Sequence, residues 1–597
     1  MQFTDYQSVY HMLRDSARQF PDQPACSWIL ESGEIHSVTY TDFLDQVRSA
    51  AKSLVALGIE KGDKVCILSY SCYEWVLIDL AVMSIGAVTV GIYQSNLPKD
   101  CGYIINHSDA VLIFAEDDAQ LAKLMEIRDE IPGIRAAVLF RGVAPSDDWV
   151  MGFDDFKALG ADLPDDAIDQ RIEGLAPDDD AGIVYTSGTT GVPKGAVLTN
   201  DNITFTAQSV YFSLESFDGD VCLLFLPLAH VFARTCVFTA IRAGANVFFA
   251  RSLETVAEDF RIARPHWFPS VPRIYEKVYS KVIGSAEAKG GVALKIFRWA
   301  FGVGAEVSAL KQQHKPIPAL LSLKYGLATK LVFSKVQDAL GGRVRWCISG
   351  AAPLNPDIGR FFHAAGVLIV EGIGMTENTS FTNVNRADNY RFGWVGPTGP
   401  GIEQRIAEDG EVMYRGRNVM KEYYKMPAET AATLTPDGWQ HTGDLGEIDD
   451  EGFLKITGRK KDLIVTAGGK NVAPVPIEGS MAMSKFINQV CVIGDRQKYL
   501  SAVLTLDMDN VTEYARDHGI SFEDPSELMT NPSVLELIES AITENNEDLA
   551  SFETIKKFRV LEEFTIENGL LTPTMKVKRN VVMERFADVI DEMYSEG

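Results

Sequence analysis

Short apolar runs alternate with helical patterns through the first two-thirds of the sequence, and this alternation constrains the fold most strongly. The runs KVCILSY (residues 64–70) and AVTVGIY are typical of buried strands, and the intervening YEWVLIDLAVMSIG predicts a helix that ends at Gly86. AVLIFAE (residues 110–116) predicts a further strand. Buried strands separated by helices indicate a parallel α/β sheet.

The second half resumes this plan and then changes character. RVRWCIS predicts a strand, GAAP a turn, NPDIGRFFHAAG a helix that ends at Gly366, and VLIV a strand that leads into EGIGMTE. Beyond Gly452 the strands are shorter and the helices are charged. Because 597 residues exceed one hydrophobic core, we predict two domains. These are a large N-terminal α/β domain (1–458) and a small α+β domain (459–597), joined at a charged linker, GRKKD (458–462).

Charge and cysteine usage exclude several classes of protein. The formal net charge of −26 argues against nucleic-acid binding. The eight cysteines form no Cys-x-x-Cys pair, which favours a reducing compartment over a disulfide framework or zinc site. There is no His-Glu-x-x-His or Gly-x-Ser-x-Gly motif, and the N-terminus has no apolar signal-like core. We therefore expect a cytoplasmic protein.

Residues 271–346 differ in charge from the rest of the chain. Thirteen Lys/Arg and four Asp/Glu give 13 − 4 = +9 within a chain of −26. Lys324, Lys330 and Lys335 lie among apolar residues in an amphipathic pattern. Two interpretations stay open: a solvated helical hairpin, or a basic platform for an anionic membrane or for the phosphates of a large cofactor.

The stretch YTSGTTGVPKG (residues 185–195) combines glycines, hydroxyls and one lysine. Glycines let backbone amides approach a ligand closely, hydroxyls donate hydrogen bonds and lysine adds a charge, so the stretch predicts a phosphate-binding loop. A Walker P-loop needs Gly-Lys followed by Ser or Thr, whereas Lys194 lies between Pro193 and Gly195. The loop is therefore of another kind.

Four further stretches follow in order: GIGMTE, WQHTGD, GRKKD and LLTPTMKVKRN. Glu377 follows a predicted strand and glycine turn, which suits a carboxylate ligand of Mg²⁺. Asp444 is a candidate acceptor for sugar hydroxyls. Each stretch alone is weak evidence, because Gly-Asp is usually a turn and Lys-Val-Lys usually a solvated face.

Together, YTSGTTGVPKG, GIGMTE, WQHTGD, GRKKDLIVTAGGKNV and TPTMKVKR resemble the adenylate-forming superfamily of acyl-CoA synthetases, luciferases and adenylation domains. LPLAHVFAR, ISGAAPL and the basic insert resemble bacterial long-chain fatty-acid–CoA ligases most closely. The resemblance implies two half-reactions: a carboxylate and ATP give acyl-AMP and pyrophosphate, and coenzyme A then displaces AMP to form a thioester.

The resemblance also implies a role for each matching residue. Lys576 is the expected catalytic lysine, with Lys578 as the alternative, and Lys194 and Glu377 are expected to assist it. Mg²⁺ is expected at Thr186 and Glu377, the hinge at Lys461, the coenzyme A tunnel at Gly469 and Lys470, and the acyl pocket at His230 and Val231. The expected ATP- and AMP-binding residues are Thr186, Ser187, Gly188, Thr189, Thr190, Lys194, Gly350, Ala351, Ala352, Gly374, Met375, Thr376, Asp444 and Arg459.

Two residues depart from the family pattern. Ile373 stands where the family usually has a tyrosine that stacks on adenine, and we expect weaker ATP binding without loss of activity. Met575 stands where a glycine usually precedes the catalytic lysine. The loop that carries Lys576 is therefore expected to depart from the geometry that is usual in the family.

The substrate is expected to be an apolar acid. Residues 221–250, which match the first wall of the substrate pocket, contain no Asp or Glu to pair with an amino group. The alternatives are a medium-chain or aryl-CoA ligase, a catalytically silent nucleotide-binding or membrane scaffold, and a kinase-type phosphotransferase. The oligomeric state is open, with a homodimer as one alternative, and peripheral contact with an anionic membrane is the sharper interpretation of the basic insert.

Overall fold

The computed structural model describes residues 2–186, 192–214, 216–572 and 575–595. Two eight-stranded sheets and a four-stranded sheet dominate residues 24–459, and smaller sheets follow. The strands are β1 (Pro24–Ile29), β2 (Ile35–Thr39), β3 (Lys64–Leu68), β4 (Val88–Ile92), β5 (Ala110–Ala115), β6 (Ala136–Leu139), β7 (Val150–Gly152), β8 (Asp180–Thr186), β9 (Lys194–Thr199), β10 (Val221–Leu224), β11 (Asn246–Phe249), β12 (Trp267–Ser270), β13 (Trp346–Ser349), β14 (Leu368–Ile373), β15 (Asn383–Val384), β16 (Glu403–Ile406), β17 (Glu411–Arg415), β18 (Glu422–Tyr423), β19 (Gln440–Ile448), β20 (Leu454–Arg459), β21 (Ile464–Val465), β22 (Asn471–Val472), β23 (Ile487–Ile493), β24 (Leu500–Leu506) and β25 (Ile555–Val560).

Helices cover the sheets and build the basic insert. They are α1 (Val9–Gln19), α2 (Tyr40–Ala56), α3 (Tyr73–Ser84), α4 (Pro98–Ser108), α5 (Asp118–Glu126), α6 (Phe153–Leu159), α7 (Asp166–Glu173), α8 (Asn200–Ser213), α9 (Val231–Ala243), α10 (Val256–Ala263), α11 (Pro272–Lys289), α12 (Gly291–Gln312), α13 (Ala319–Ala328), α14 (Ser334–Ala339), α15 (Pro356–Ala364), α16 (Pro427–Thr433), α17 (Pro474–Met481), α18 (Met508–Asp517), α19 (Pro532–Asn546), α20 (Arg579–Arg585) and α21 (Ala587–Ser595). A π-helical turn (Thr329–Phe333) joins α13 to α14, and 3₁₀ turns lie at Arg128–Glu130, Thr376–Asn378 and Pro525–Thr530.

The two large sheets are mainly parallel. One has the order β15-β14-β13-β12-β10-β11-β1-β2, and the other the order β18-β9-β8-β4-β3-β5-β6-β7. Antiparallel pairs join β15 and β2 to one sheet, and β9 and β18 to the other. The parallel pairs follow where a helix links consecutive buried strands, while β8 and β9 are joined by a short loop and run antiparallel. The predicted α/β class with parallel-rich sheets is confirmed.

The main hydrophobic core spans both large sheets, and α3 explains how. Eleven of the twelve residues of α3 are buried, all but Glu74, which is the pattern of a helix covered on nearly all sides. It packs on β1 of one sheet and β4 of the other. The continuous apolar sequence between the first two predicted strands therefore forms a helix, α3, that is packed between the two large sheets.

Residues after 463 have hydrophobic clusters of their own. One cluster joins β21, β22 and α17 to β23, β24, α18 and α19, and another packs β23 and β24 against α20 and α21. Contacts with the preceding residues include an ion pair between Lys485 Nζ and Glu287 Oε2 of α11, 3.0 Å apart. The proposed boundary at 458–462 falls at the end of β20, immediately before these clusters.

No helix in the described part of the chain is long and apolar enough to cross a membrane. The basic insert consists of α11, α12, α13, the π-helical turn and α14. Phe301 of α12 stacks on Phe361 of α15, with ring centroids 4.3 Å apart. The insert is thus attached to the helix that precedes β14.

Candidate functional site

The β8–β9 hairpin places Thr186 and Lys194 at the two ends of the proposed phosphate loop. The two residues are direct partners in the antiparallel pair, and the Thr186 hydroxyl donates to the Lys194 carbonyl at 3.4 Å. The loop itself, with Ser187, Gly188, Thr189 and Thr190, lies outside the described residues. Because β8 is parallel to β4, the hairpin lies at the carboxyl end of a parallel strand, where α/β folds usually bind ligands.

Tyr423 connects Lys194 to Glu377. Its hydroxyl donates a hydrogen bond to Glu377 Oε1, and the Lys194 ammonium lies 4.9 Å from the centre of its ring. The pairing of β18 with β9 puts Tyr423 opposite Ala196, beside the hairpin. The tyrosine is buried, so both contacts are shielded from water. Sequence reasoning missed Tyr423, because only this long-range strand pairing brings it to the site.

The segment before Tyr423 braces the GIGMTE turn. Met420 N–H donates to the Glu377 carbonyl at 2.8 Å, and the Thr379 hydroxyl donates to the Asn418 carbonyl at 2.7 Å. Gly374 passes so close to the chain that a side-chain carbon there would lie 2.1 Å from the Ser380 carbonyl carbon. Only glycine fits this approach, which fixes the turn that carries Met375, Thr376 and Glu377.

Asp444 and Arg459 face each other across β19 and β20. They are direct partners in the antiparallel pair, and Arg459 Nε lies 3.2 Å from Asp444 Oδ1. Burial raises the pKa of the Asp444 carboxyl, against the lowering effects of Arg459 and Lys576. Both residues were predicted from the sequence as ATP- and AMP-binding residues, and the structure joins them as a pair.

Lys576 enters the same cleft from the C-terminal region. Lys576 is exposed at the surface of this cleft. Desolvation of its ammonium by the neighbouring atoms, together with the charge of Arg459, lowers its pKa, whereas Asp444 and Asp462 act to raise it. A lysine on a terminal loop has thus been brought to the Asp444–Arg459 pair. The alternative, Lys578, precedes α20 and donates its N–H to the Leu570 carbonyl.

Two hydrogen bonds with Thr572 hold the backbone of Lys576 in place. Lys576 N–H donates to the Thr572 hydroxyl at 3.1 Å, and Thr572 N–H donates to the Lys576 carbonyl at 2.8 Å. Met575 inside this turn has φ of 63°, a left-handed conformation that costs a residue other than glycine about 1–2 kcal/mol. The departure noted in the sequence therefore puts a residue other than glycine in a conformation whose strain glycine would avoid.

His230 lies close enough to Lys576 for the charge of the lysine to act on its imidazole. It precedes α9, and its Nδ1 accepts the Phe232 N–H at 3.1 Å. Burial lowers the pKa of its imidazole to about 4, and the charge of Lys576 contributes. His230 is therefore neutral near pH 7. Next to it, Val231 is buried in the core.

One charge in the wall formed by α9 is neutralised within the protein. Arg234 Nη2 lies 2.6 Å from Asp79 Oδ1, and both side chains are buried. The predicted acyl wall thus holds this guanidinium in an internal ion pair, where it is not available to a substrate.

The predicted adenine loop follows β13. Gly350 is buried, Ala351 is half-buried with φ of 69°, and Ala352 is exposed. Glu371 of β14, which the sequence analysis did not single out, accepts the Leu354 N–H at 3.1 Å. Burial raises the pKa of Glu371 to about 7. Ile373 is half-buried at the end of β14, beside this loop, and its effect on ATP binding stays a prediction.

Glu411 ties the WQHTGD turn to the linker. One of its oxygens accepts the Gly443 N–H at 2.7 Å, and the other lies 2.8 Å from the Lys460 ammonium. Lys460 also pairs with Asp409 at 2.5 Å. Lys461, the predicted hinge, is exposed in the turn that follows. The linker is therefore anchored on one side of Lys461 by a buried carboxylate that sequence reasoning missed.

The predicted coenzyme A residues lie in a different place. Gly469 and Lys470 are exposed in the hairpin between β21 and β22, and Gly469 has φ of 73°, in the left-handed region. The hairpin contacts Gln497 through the Ala467 N–H, and Lys470 lies over the Phe552 ring at 5.6 Å. These contacts are with the C-terminal region.

The residues near Glu377 fit a magnesium ion shared with a substrate. No group of three or more His, Cys, Asp or Glu side chains that could hold a metal occurs among the described residues. Mg²⁺, however, is usually held by one or two carboxylates together with substrate phosphates and water. The buried Glu377 carboxylate, linked through Tyr423 to Lys194, supplies such a ligand.

Comparison with known proteins gives consistent matches over the whole chain. The sequence matches the AMP-binding enzyme family over residues 13–424 and the AMP-binding enzyme C-terminal domain over residues 461–597. It is 35% identical to a long-chain-fatty-acid–CoA ligase, FadD15, of Mycobacterium bovis, covering 99% of this chain and 98% of that protein. It is 32% identical to the long-chain-fatty-acid–CoA ligase ACSBG2 of Xenopus laevis, covering 99% and 84%.

The fold comparison agrees. The adenylation domain of a carboxylate reductase from Mycobacterium chelonae superposes with a TM-score of 0.78 at 21% identity, covering 98% of this chain and 91% of that one. The resemblance inferred from the motifs is confirmed: the chain belongs to the AMP-binding enzyme family, the adenylate-forming superfamily.

Proposed function

We propose that the protein is an ATP-dependent ligase that activates a long-chain fatty acid as acyl-AMP and transfers the acyl group to coenzyme A. The observation that carries this proposal is the convergence of Lys576, Asp444, Arg459 and His230 on one cleft. A nucleotide-binding scaffold has no need of a lysine held there by a strained turn. The names of the relatives, which span nearly the whole chain, support a fatty acid as substrate.

In the first half-reaction, a carboxylate oxygen of the fatty acid attacks the α-phosphorus of ATP. The bond from that phosphorus to the bridging oxygen breaks, and pyrophosphate leaves. Lys576 bridges the carboxylate and the α-phosphate, where its charge stabilises the negative charge of the transition state. Asp444 accepts hydrogen bonds from the ribose hydroxyls, and Arg459 keeps the Asp444 carboxylate in position.

The departing pyrophosphate is held by the β8–β9 hairpin. Lys194 and the loop that follows Thr186 bind the β- and γ-phosphates, and Tyr423 keeps Lys194 and Glu377 together. Thr186 and Glu377 are the residues that would hold Mg²⁺, which when bound neutralises charge on the phosphates. The loop at Gly350, Ala351 and Ala352 lines the adenine, next to the GIGMTE turn.

In the second half-reaction, the sulfur of coenzyme A attacks the acyl carbonyl carbon. The bond from that carbon to the AMP oxygen breaks, AMP leaves, and the thiol proton passes to solvent. Lys576 and its turn occupy the cleft that the thiol must enter. We infer that residues 459–597 rotate about Lys461, withdraw Lys576 and bring Gly469 and Lys470 to the acyl-AMP.

An apolar chain suits the wall near His230. This wall has no Asp or Glu in residues 221–250, and its Arg234 is paired with Asp79. Since His230 is neutral near pH 7 and residues 221–250 contain no Asp or Glu, the ammonium group of an amino-acid substrate would find no opposite charge in these residues. The hydrocarbon chain of a long saturated acid needs no charged partner in this wall.

The test is pyrophosphate release over a ladder of saturated fatty acids, with and without coenzyme A, combined with identification of the nucleotide product. We expect AMP and pyrophosphate, with the highest kcat/KM for long chains. ADP as the main product would indicate a phosphotransferase and contradict the proposal. A preference for medium-chain or aromatic acids would leave the proposed two-step reaction standing but would contradict a long-chain fatty acid as the substrate.

A further inference from the structure

The helical insert exposes a row of leucines. Leu320, Leu323, Leu327 and Leu331 have 67, 73, 51 and 43% of their surface exposed. Their spacing of three or four residues places them along one side of α13 and the π-helical turn. We call these four residues the leucine row.

Exposed apolar side chains are concentrated in this insert. Of the twenty exposed large hydrophobic residues in the described part of the chain, seven lie between 292 and 331. Besides the leucine row, these are Val292, Ile296 and Trp299, spaced by four and three residues on α12. Single exposed hydrophobic residues are normal, but a regular row on adjacent helices indicates an interaction surface. The two helices are in contact, since Lys311 of α12 lies 5.9 Å from the centre of the Tyr325 ring of α13.

Lysines accompany the leucine row. Lys324, Lys330 and Lys335 are exposed beside it. Residues 271–346 carry +9, so the rest of the chain carries −26 − 9 = −35. An anionic surface therefore attracts this insert and repels the remainder, which orients the molecule with the insert toward the surface.

We propose that the leucine row is a docking surface for an anionic lipid bilayer. The leucines enter the boundary between headgroups and acyl chains, and the lysines remain at the headgroups, as in helices that lie in the plane of a membrane. The exposed leucines and the lysines together favour a bilayer over the alternative partners. A solvated face needs lysines without exposed leucines, and the phosphates of coenzyme A would recruit cations without an apolar row.

A second copy of the chain fits the surface less well. A symmetric pair that buried both leucine rows would bring two segments of +9 together. The bilayer meets both the apolar row and its charge. Because a long-chain fatty acid partitions into membranes, docking would also place the enzyme where its proposed substrate is most concentrated.

The docking surface belongs to the part of the protein that carries the adenine loop. Phe301 of α12 stacks on Phe361 of α15, and α15 follows residues 350–354. Rotation of residues 459–597 can therefore leave the leucine row on the membrane. The proposal does not depend on catalysis, because vesicle binding is measured without ATP, acid or coenzyme A.

The experiment is co-sedimentation of the full chain with phosphatidylcholine vesicles that contain or lack phosphatidylglycerol. We expect binding to the anionic vesicles that weakens with salt. Leu320→Ser combined with Leu323→Ser and Leu327→Ser should weaken that binding by about tenfold or more. Lys324→Glu with Lys330→Glu and Lys335→Glu should have a similar effect on anionic vesicles.

The matched control replaces exposed apolar residues elsewhere. Val143→Ser with Leu253→Ser, at positions 87 and 49% exposed, should bind vesicles like the unmodified protein, and all variants should unfold at the same temperature. The proposal is overturned if the unmodified protein ignores anionic vesicles, or if the leucine variant binds them equally well. It is also overturned if light scattering shows a dimer that the leucine variant dissolves while vesicle binding is unchanged.

Discussion

The cleft at Lys576 and the hairpin at Gly469 are both parts of the proposed machinery, but they differ in the contacts that they make. Lys576 lies near Asp444, Arg459 and His230, and each of these groups perturbs the electrostatics of another. The hairpin contacts Gln497 and Phe552 in the C-terminal region. The same region thus contributes Lys576 to the cleft, whereas the hairpin makes its contacts within the C-terminal region itself.

This difference suggests that one arrangement cannot serve both half-reactions. Lys576 occupies the place where the adenylation chemistry is proposed, so a thiol would meet an obstructed cleft. The exposed Lys461, next to a Lys460 that is anchored by Glu411, is where the chain can turn. The predictions below separate the two regions by their effects on the two half-reactions.

The largest expected effect is on the cleft. Lys576→Ala should lower acyl-AMP formation by about 10²–10³-fold, because it removes charge stabilisation in the transition state. Conversion of supplied acyl-AMP to the thioester should persist. Pyrophosphate release and thioester absorbance measure the two steps. Lys578→Ala is the matched control and should retain both activities. If it lowers acyl-AMP formation as much as Lys576→Ala does, the catalytic role is not specific to Lys576.

Tyr423→Phe tests the other end of the adenylation site. It removes the hydrogen bond to Glu377 and keeps the ring under Lys194. A hydrogen bond to a charged group is worth about 1.5–3 kcal/mol, so adenylation should fall about ten- to a hundredfold. Glu377→Gln and Asp444→Ala should act on the same step with similar size. The magnesium concentration for half-maximal rate should rise in Tyr423→Phe, whereas a purely structural loss would lower the rate without moving it.

Gly469→Leu tests the hairpin. A side chain at φ of 73° costs about 1–2 kcal/mol, and leucine also fills the space that the proposal reserves for coenzyme A. Thioester formation should fall about five- to thirtyfold, and acyl-AMP formation should be spared. Gly469→Ala has the same backbone strain but a smaller side chain. The difference between the two variants therefore measures how far leucine obstructs the proposed coenzyme A site. Lys461→Pro should damage one half-reaction more than the other.

The pH dependence should also differ between the regions. Since desolvation and the charge of Arg459 lower the pKa of Lys576, its proton is lost at a lower pH than that of an ordinary lysine. Acyl-AMP formation should therefore decline at alkaline pH, while thioester formation from supplied acyl-AMP should lack this decline. Asp444→Asn removes a charge that raises the pKa of Lys576, so the alkaline limb should move to lower pH. An unmoved limb would place the titrating group elsewhere.

The smallest expected effect is at the turn before Lys576. Met575→Gly relieves the left-handed strain of about 1–2 kcal/mol and should raise the population of the correct turn. We expect acyl-AMP formation to be unchanged or a few-fold faster, measured as pyrophosphate release at saturating substrates. A loss of activity would mean that the methionine side chain has a positive role.

Local patterns were enough to predict much of the fold and several site residues. Buried runs such as KVCILSY predicted β3, and the turn glycines marked the ends of α3 and α15. The sequence also named Asp444, Arg459 and Lys576, through motifs. Their meeting in one cleft needed the pairing of β19 with β20 and the docking of the C-terminal region, which no local pattern encodes.

The missed residues share this cause. Tyr423 reaches the site through the pairing of β18 with β9, and Glu411 reaches the linker across β17 and β19. Glu371 is a single acidic residue inside an apolar strand, and this was a signal that could have been read, because a charged residue in a buried strand usually has a specific partner. The left-handed φ at Met575 could be inferred only as a departure from the glycine that the family uses.

A reversible cross-link tests whether the C-terminal region must move between the two half-reactions. Glu287 and Lys485, 3.0 Å apart and both partly exposed, join the basic insert to the C-terminal region in the present arrangement. Glu287→Cys with Lys485→Cys can be joined by a short thiol-reactive reagent that a reductant cleaves, and the eight native cysteines are buried.

We expect the cross-linked protein to form acyl-AMP at the normal rate and to make no thioester. Reduction should restore thioester formation, and each single-cysteine variant treated in the same way should retain both steps. Thioester formation at the normal rate by the fully cross-linked protein would contradict the account, since the second half-reaction would then need no movement of the C-terminal region.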